Sequence, residues 1–118
     1  MNILFDTLNQ WASTKPNHIA LVGTEEQGQS VQFTYAELLK EIEQTAEALK
    51  ALNIEALALR AENSVNWAII DLAAMAANIV VVPIPTFFSN TQVAHTLKES
   101  RVDALIGDWQ EVSLPESI

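Results

Sequence analysis

Few residues in this sequence could carry acid–base chemistry, and they are widely separated. The two histidines, His18 and His95, are far apart, and Asp71 is a carboxylate in an otherwise apolar segment. Imidazoles and perturbed carboxylates are the usual proton-transfer groups. However, His18 follows a proline–asparagine turn and His95 lies on the polar side of a predicted helix, so both are interpreted as solvated surface residues. Asp71 is interpreted as structural, either hydrogen-bonded or at the solvent-facing edge of its helix.

Other candidate groups for catalysis or metal binding are scarce. The chain has no cysteine, which excludes thiolate nucleophiles, disulfides and cysteine zinc sites. A solvated helix face accounts for the carboxylates Glu37, Glu41, Glu43 and Glu47. Arg60 and Arg101 are the only arginines available to clamp a phosphate. We therefore predict no catalytic, cofactor-binding or metal-binding residue in this chain.

Glycine and aromatic residues show no ligand-binding signature. None of Gly23, Gly28 and Gly107 opens a strand-to-helix turn, so the chain has neither a phosphate loop nor a dinucleotide fingerprint. The nucleophile elbow of hydrolases is also absent. The tryptophans are too scattered for a stacking platform: Trp11, Trp67 and Trp109. The pair Phe87-Phe88 follows two prolines, and it either lines a pocket, anchors a partner or packs over the sheet edge.

Composition limits the class of protein. The chain has 118 residues, 49% hydrophobic residues and a formal net charge of -9, which is typical of one acidic globular domain. Such a charge disfavours nucleic acid and anionic lipid as partners. The N-terminus has no signal-peptide pattern, and Asp71 and Asn78 interrupt the apolar segment 67–85. We therefore predict a cytoplasmic protein without a membrane span.

The periodicity of apolar residues predicts an α/β fold. The first half is predicted to form a helix over 3–14, a β-hairpin from 18–22 and 31–33, and a helix over 34–52 that starts with the capping box Thr34/Glu37. Strands over 56–59, 80–82 and 104–106 alternate with a helix over 64–77 and another capped by Ser89 or Asn90. This order predicts a three-layer parallel sheet with right-handed crossovers. We expect one α/β domain over 1–118, with an irregular tail over 109–118.

Five segments stand in a recognisable order along the chain. They are Pro16-Asn17-His18-Ile19-Ala20-Leu21, Phe33-Thr34-Tyr35-Ala36-Glu37-Leu38, Asn63-Ser64 with Trp67, residues 73–84, and residues 93–108. Together they resemble the N-terminal region of the adenylate-forming enzymes, which include acyl-CoA synthetases, luciferases and peptide-synthetase adenylation domains. Two departures are visible: the Gly-Asp turn before the second strand is shortened to Asn53-Ile54-Glu55, and Asn78 stands where the family prefers glycine.

This resemblance implies an ATP-dependent ligase that activates a carboxylic acid as its acyl-adenylate and transfers it to a thiol. ATP, Mg²⁺ and CoA are the implied cofactors of a full-length protein. The segment Val82-Pro83-Ile84-Pro85-Thr86-Phe87-Phe88-Ser89 is more similar to the fatty acyl-CoA synthetase branch than to peptide synthetases. None of the family's catalytic motifs matches a residue here, so the resemblance implies an N-terminal structural subdomain that is not catalytic alone.

Two hypotheses about partners remain open. In the first, the chain is the N-terminal part of a synthetase and packs against the remainder of that protein. In the second, it is a free-standing α/β interaction module without enzymatic activity. A piece of a larger domain would expose apolar surface at the flank of helix 65–77 and at Phe87-Phe88, so we expect self-association of the isolated chain.

Overall fold

The structure, a computed structural model, describes residues 3–24, 29–62, 64–110 and 112. The first half contains α1 (Ile3–Thr14), β1 (Ile19–Thr24), β2 (Ser30–Thr34) and α2 (Tyr35–Ala51). The second half contains β3 (Ala56–Arg60), α3 (Val65–Ala76), β4 (Val80–Pro83), α4 (Asn90–Ser100) and β5 (Ala104–Gly107). Each predicted helix and strand is present, and the boundaries differ by one or two residues. The turn of the hairpin is predicted over 23–28, but Gly23 and Thr24 belong to β1, and residues 25–28 lie outside the described residues, as do Asn63 and most of the tail over 109–118.

Two separate sheets form. Strands β1 and β2 pair antiparallel as a hairpin, while β3 pairs in parallel with β4 on one side and β5 on the other, giving the order β4-β3-β5. At the start of β3, the carboxylate of Asp103 accepts hydrogen bonds from the backbone N–H groups of Glu55 (2.6 Å) and Ala56 (3.3 Å). These bonds tie the beginning of β5 to the beginning of β3. The prediction of a parallel α/β sheet is confirmed.

The central strand divides the core into two parts. Leu57 and Leu59 belong to the larger cluster, together with buried residues of α1, α2 and α3, whereas Ala58 belongs to a smaller cluster with Val93 and Leu97 of α4. Successive side chains of a strand point to opposite faces, so α3 and α4 cover opposite faces of the sheet. Helix α2 packs on α3 and on the hairpin, and it shares the larger core with the sheet.

Polar caps begin three of the helices. The hydroxyl of Thr34 accepts from the N–H of Glu37 (3.1 Å), and the N–H of Thr34 donates to the Glu37 carboxylate (2.9 Å). That backbone donor lowers the pKa of Glu37, so the bond to the charged carboxylate is present at neutral pH and is lost when the pH falls below the lowered pKa. Ser64 caps α3, and Ser89 forms a second capping box with Gln92. These contacts satisfy N–H groups that the helix cannot pair itself.

Left-handed residues end three helices. Asn53, Asn78 and Arg101 follow or cap the last turns of α2, α3 and α4 with φ values of 56°, 58° and 53°. Glycine adopts this conformation without a steric penalty, and asparagine tolerates it better than most residues. The conformation of Asn78 therefore gives a physical reason for the family's glycine at this position.

Two features of the packing differ from the sequence interpretation. The apolar periodicity of the helix over 34–52 places Leu52 on the same stripe as Leu38, Ile42, Ala46 and Leu49, but Leu52 is exposed because α2 ends at Ala51 and Leu52 lies in the turn beyond. The nearly all-apolar composition of α3 predicts a largely buried helix, but Met75 is exposed and Trp67, Ile70 and Leu72 are only partly buried. These three partly buried residues pack against the larger core, and their remaining exposure agrees with the apolar surface expected at the flank of helix 65–77.

The capping box predicts a loss of stability on substitution. Thr34→Ala removes the acceptor for the Glu37 N–H and should lower the free energy of unfolding by about 1 kcal/mol. Thr96→Ala is the matched control, since the Thr96 hydroxyl bonds only a carbonyl within α4. It should change stability by less than about 0.5 kcal/mol. Chemical denaturation measures both, and equal midpoints for Thr34→Ala and the parent chain would contradict the capping role.

The left-handed turn after α3 makes a second prediction. Asn78→Ala should destabilise the protein by about 1 kcal/mol, because alanine is strained at positive φ, whereas Asn78→Gly should keep or raise the stability. Asn66→Ala, on the exposed surface of α3, is the control and should have little effect. Thermal unfolding of the three variants provides the measurement, and equal midpoints for the alanine and glycine variants at position 78 would exclude the conformational explanation.

Candidate functional site

The candidate site lies where the three parallel strands end. The chain runs from β3 to β4 on one side and then returns to β5 on the other side of β3. Parallel α/β proteins bind ligands outside the carboxyl ends of their strands, at the point where the strand order reverses. In this sheet that point lies between the ends of β3 and β5.

Two neighbouring clefts occupy this edge. The β4-side cleft, of about 350 Å³, lies between the turns that follow β3 and β4 and is lined by Glu62, Trp67, Ile84, Pro85 and Phe87, among others. The β5-side cleft, of about 290 Å³, lies between α2, α3 and the end of β5 and is lined by Glu41, Thr45, Ser64, Asn66 and Gly107, among others. Trp67 and Ala61 contribute to both clefts. The walls are mainly apolar.

Arg60, the last residue of β3, fixes the turns around both clefts. Its Nη1 donates to the carbonyl oxygen of Asp108 (2.6 Å), and its Nη2 donates to the carbonyl oxygen of Thr86 (3.2 Å). The Arg60 carbonyl oxygen accepts from the Asp108 N–H (2.6 Å). One guanidinium therefore connects the ends of all three strands. Its Nε is buried and has no hydrogen-bond partner among the described residues.

Glycine is required at the end of β5. Gly107 has a φ of 109°, and a Cβ at this position would overlap the carbonyl oxygen of Arg60. The next turn is held by the Trp109 indole, whose Nε1 donates to the carbonyl oxygen of Ile106 (2.9 Å). At one wall of the β5-side cleft, the backbone of Gly107 therefore lies directly against the backbone of Arg60. The turn that follows is held by the hydrogen bond of Trp109.

The lining of the two clefts does not fit a nucleoside triphosphate. Glu41 and Glu62 carry negative charge at their rims, and the described lining residues include no lysine, arginine or histidine. Phosphates are bound by cations or by glycine-rich backbone amides. Within the described ranges, no cluster of three or more histidine, aspartate and glutamate side chains is placed to hold a metal ion. None of the described helices has the length and apolar character needed to span a bilayer.

The residues considered for acid–base chemistry do not meet in the structure. His18 and His95 are exposed, Asp71 is partly buried on α3, and none of them lines either cleft. Trp67 and Phe87, by contrast, are brought to the same cleft. The sequence interpretation missed Arg60 because it treated the residue only as an available cation. An arginine directly after four apolar strand residues was the signal that could have identified it.

The fold and this edge define a parallel α/β unit with clefts at the carboxyl ends of its strands. The sequence profile of the AMP-binding enzyme family matches residues 8–117. The chain belongs to the AMP-binding enzyme family. No curated protein sequence matches the chain.

Solved structures agree with this assignment. The N-terminal domain of FACL13 from Mycobacterium tuberculosis is 28% identical, with a TM-score of 0.76 over 89% of this chain and 26% of that one. NpsA from Klebsiella oxytoca, in complex with 3-hydroxyanthranilyl-AMSN, is 22% identical, with a TM-score of 0.77 over 92% of this chain and 22% of that one. A fatty acid AMP ligase from Legionella pneumophila is 18% identical, with a TM-score of 0.72 over 86% of this chain and 19% of that one.

These matches define which part of the family fold the chain represents. The chain spans roughly a quarter of the FACL13 structure, 26% of its length. It covers 28% of a structure described as the N-terminal subdomain of NpsA. The chain therefore corresponds to an N-terminal piece of an adenylate-forming domain. At 22% and 18% identity, the likenesses to NpsA and to the fatty acid AMP ligase concern the fold alone.

The contacts of Arg60 generate a prediction about the carboxyl edge. Arg60→Met keeps the aliphatic stem but removes two charge-assisted hydrogen bonds, so it should lower the free energy of unfolding by about 2–3 kcal/mol. Hydrogen exchange of the Phe88 amide, which donates to the Pro85 carbonyl oxygen, should accelerate more than exchange within α2. Arg101→Met is the control, because the Arg101 side chain is exposed. Unchanged exchange in the 86–88 turn would show that Arg60 does not hold it.

Proposed function

We propose that the chain is the N-terminal structural part of an ATP-dependent acid–thiol ligase that activates a fatty acid as its acyl-adenylate. The observation that carries this proposal is the family match over residues 8–117. The full reaction forms an acid–AMP anhydride with release of pyrophosphate, and the acyl group is then transferred to a thiol. The fatty-acid specificity is supported by the sequence of the turn 82–89, which is more similar to acyl-CoA synthetases than to peptide synthetases.

The chain itself contributes scaffold to this activity. Binding of ATP with Mg²⁺ requires cations or a phosphate loop, and the described residues at the carboxyl edge supply Glu41 and Glu62 instead. We therefore place the groups that bind the phosphates, Mg²⁺ and CoA in the remainder of the full-length protein. A net charge of -9 adds an unfavourable long-range field for an anionic nucleotide.

The proposed acid can be distinguished from those named for structural neighbours. One neighbour, VinN, was solved with L-aspartate, and NpsA was solved with anthranilyl-AMSN. Fatty acids, anthranilate and L-aspartate are therefore the informative panel. The acyl acceptor is tested separately with CoA.

The proposed function predicts that the 118-residue chain and the full-length protein differ in ATP binding and in pyrophosphate exchange. The 118-residue chain alone should show no micromolar binding of ATP with Mg²⁺ by calorimetry, and no acid-dependent pyrophosphate exchange. The full-length gene product should catalyse exchange with fatty acids and much less with anthranilate or L-aspartate. Exchange by the 118-residue chain would place catalytic groups here, whereas a full-length protein inactive with every acid would contradict the ligase assignment.

A further inference from the structure

Phe87 is the most exposed large apolar side chain in the described part of the protein. It is 83% exposed, although it lies beside a cleft with apolar walls. Its neighbour Phe88 packs into the smaller core, and the two rings meet edge to face with centroids 5.6 Å apart. The turn therefore buries one phenylalanine and presents the other to solvent.

The turn that carries Phe87 is held from both sides. Arg60 Nη2 donates to the Thr86 carbonyl oxygen (3.2 Å), and the N–H of Phe88 donates to the Pro85 carbonyl oxygen (3.1 Å). Pro83 and Pro85 restrict the backbone before it. A side chain on a preorganised turn loses little conformational entropy on binding. Large aromatic residues in such positions are typical anchors of interfaces.

We propose that Phe87 and the β4-side cleft form an intramolecular docking surface, covered in the full-length protein by a segment from the remaining part of its adenylate-forming domain. The inference rests on the proposed function and adds the location of the contact. The covering segment provides an apolar pocket for the Phe87 ring. The part of the covering segment that faces Glu62 is neutral or basic.

Two observations favour this occupant over a second copy of the chain. The chain spans 26% of FACL13 and 22% of NpsA, so most of the family domain lies outside it. A segment of the same polypeptide has a high effective concentration and binds without the entropic cost of bimolecular association. Two copies would each carry a net charge of -9, which opposes close contact between them.

Footprinting of the full-length protein tests the contact directly. Hydroxyl-radical labelling, normalised to intrinsic reactivity, should show Phe87 more strongly protected than Val22. Val22, on the hairpin, is 58% exposed and serves as the internal reference. Equal protection factors for the two residues would overturn the proposal. Protection of Phe87 that disappears on dilution would assign the surface to a second copy and would also overturn it.

A substitution pair provides an independent measurement. In the full-length protein, Phe87→Ser should lower the thermal midpoint by roughly 2–4 °C, while Val22→Ser should leave it nearly unchanged. Equal midpoints for the two variants would overturn the proposal. If Phe87→Ser does not yield folded protein, the footprint of the parent protein decides the question.

Pyrophosphate exchange by the same sample separates the two proposals. Exchange with an exposed Phe87 would retain the ligase assignment and reject the docking surface. A protected Phe87 without exchange for any acid would retain the docking surface and reject the ligase assignment.

Discussion

Strand β3 is the element on which the rest of the structure depends. Its three central residues, Leu57, Ala58 and Leu59, are the most completely buried segment of the described chain, at 0%, 0% and 1% exposure. Both other parallel strands pair only with β3. Its alternating side chains supply both parts of the core. A polar residue at 57 or 59 would place an unpaired group in the larger core, and burial of such a group is costly.

The same strand positions the carboxyl edge. Arg60 is the last residue of β3 and directly follows its three buried residues, and its guanidinium holds the turns after β4 and β5. Gly107 permits this arrangement because only a residue without Cβ fits against the Arg60 carbonyl. The turn with the exposed Phe87 is therefore coupled mechanically to the central strand. A turn held in one position is what the proposed contact between Phe87 and the remainder of the domain requires.

Much of the fold was predictable because the signals are local. The alternation of strands and helices after Ala56 predicted a parallel sheet, and the polar residues before α2, α3 and α4 marked the starts of those helices. The apolar helix α3 was more difficult. Its composition indicated burial, but exposure depends on how many elements surround it, and composition alone does not supply that number. Met75 is exposed for this reason.

The candidate site was less accessible to sequence reasoning than the fold. Its parts come from turns after β3, β4 and β5, and the contact between Arg60 and Asp108 joins residues 48 positions apart. No pattern in the sequence specifies that pair, because the contact exists only after three strands have aligned in parallel. The histidines and Asp71 were the residues that side-chain chemistry singled out, yet they lie away from the clefts.

The sequence by itself determined the identity of the elements, the helix caps, the acidic charge and the resemblance to adenylate-forming enzymes, since each depends on residue type and short-range spacing. The tertiary structure alone decided the strand order, the role of Arg60, the need for glycine at 107 and which of Phe87 and Phe88 is exposed. These properties depend on which distant segments meet. The entropy of chain closure and the packing of the core select these long-range contacts from the many that the local pattern allows.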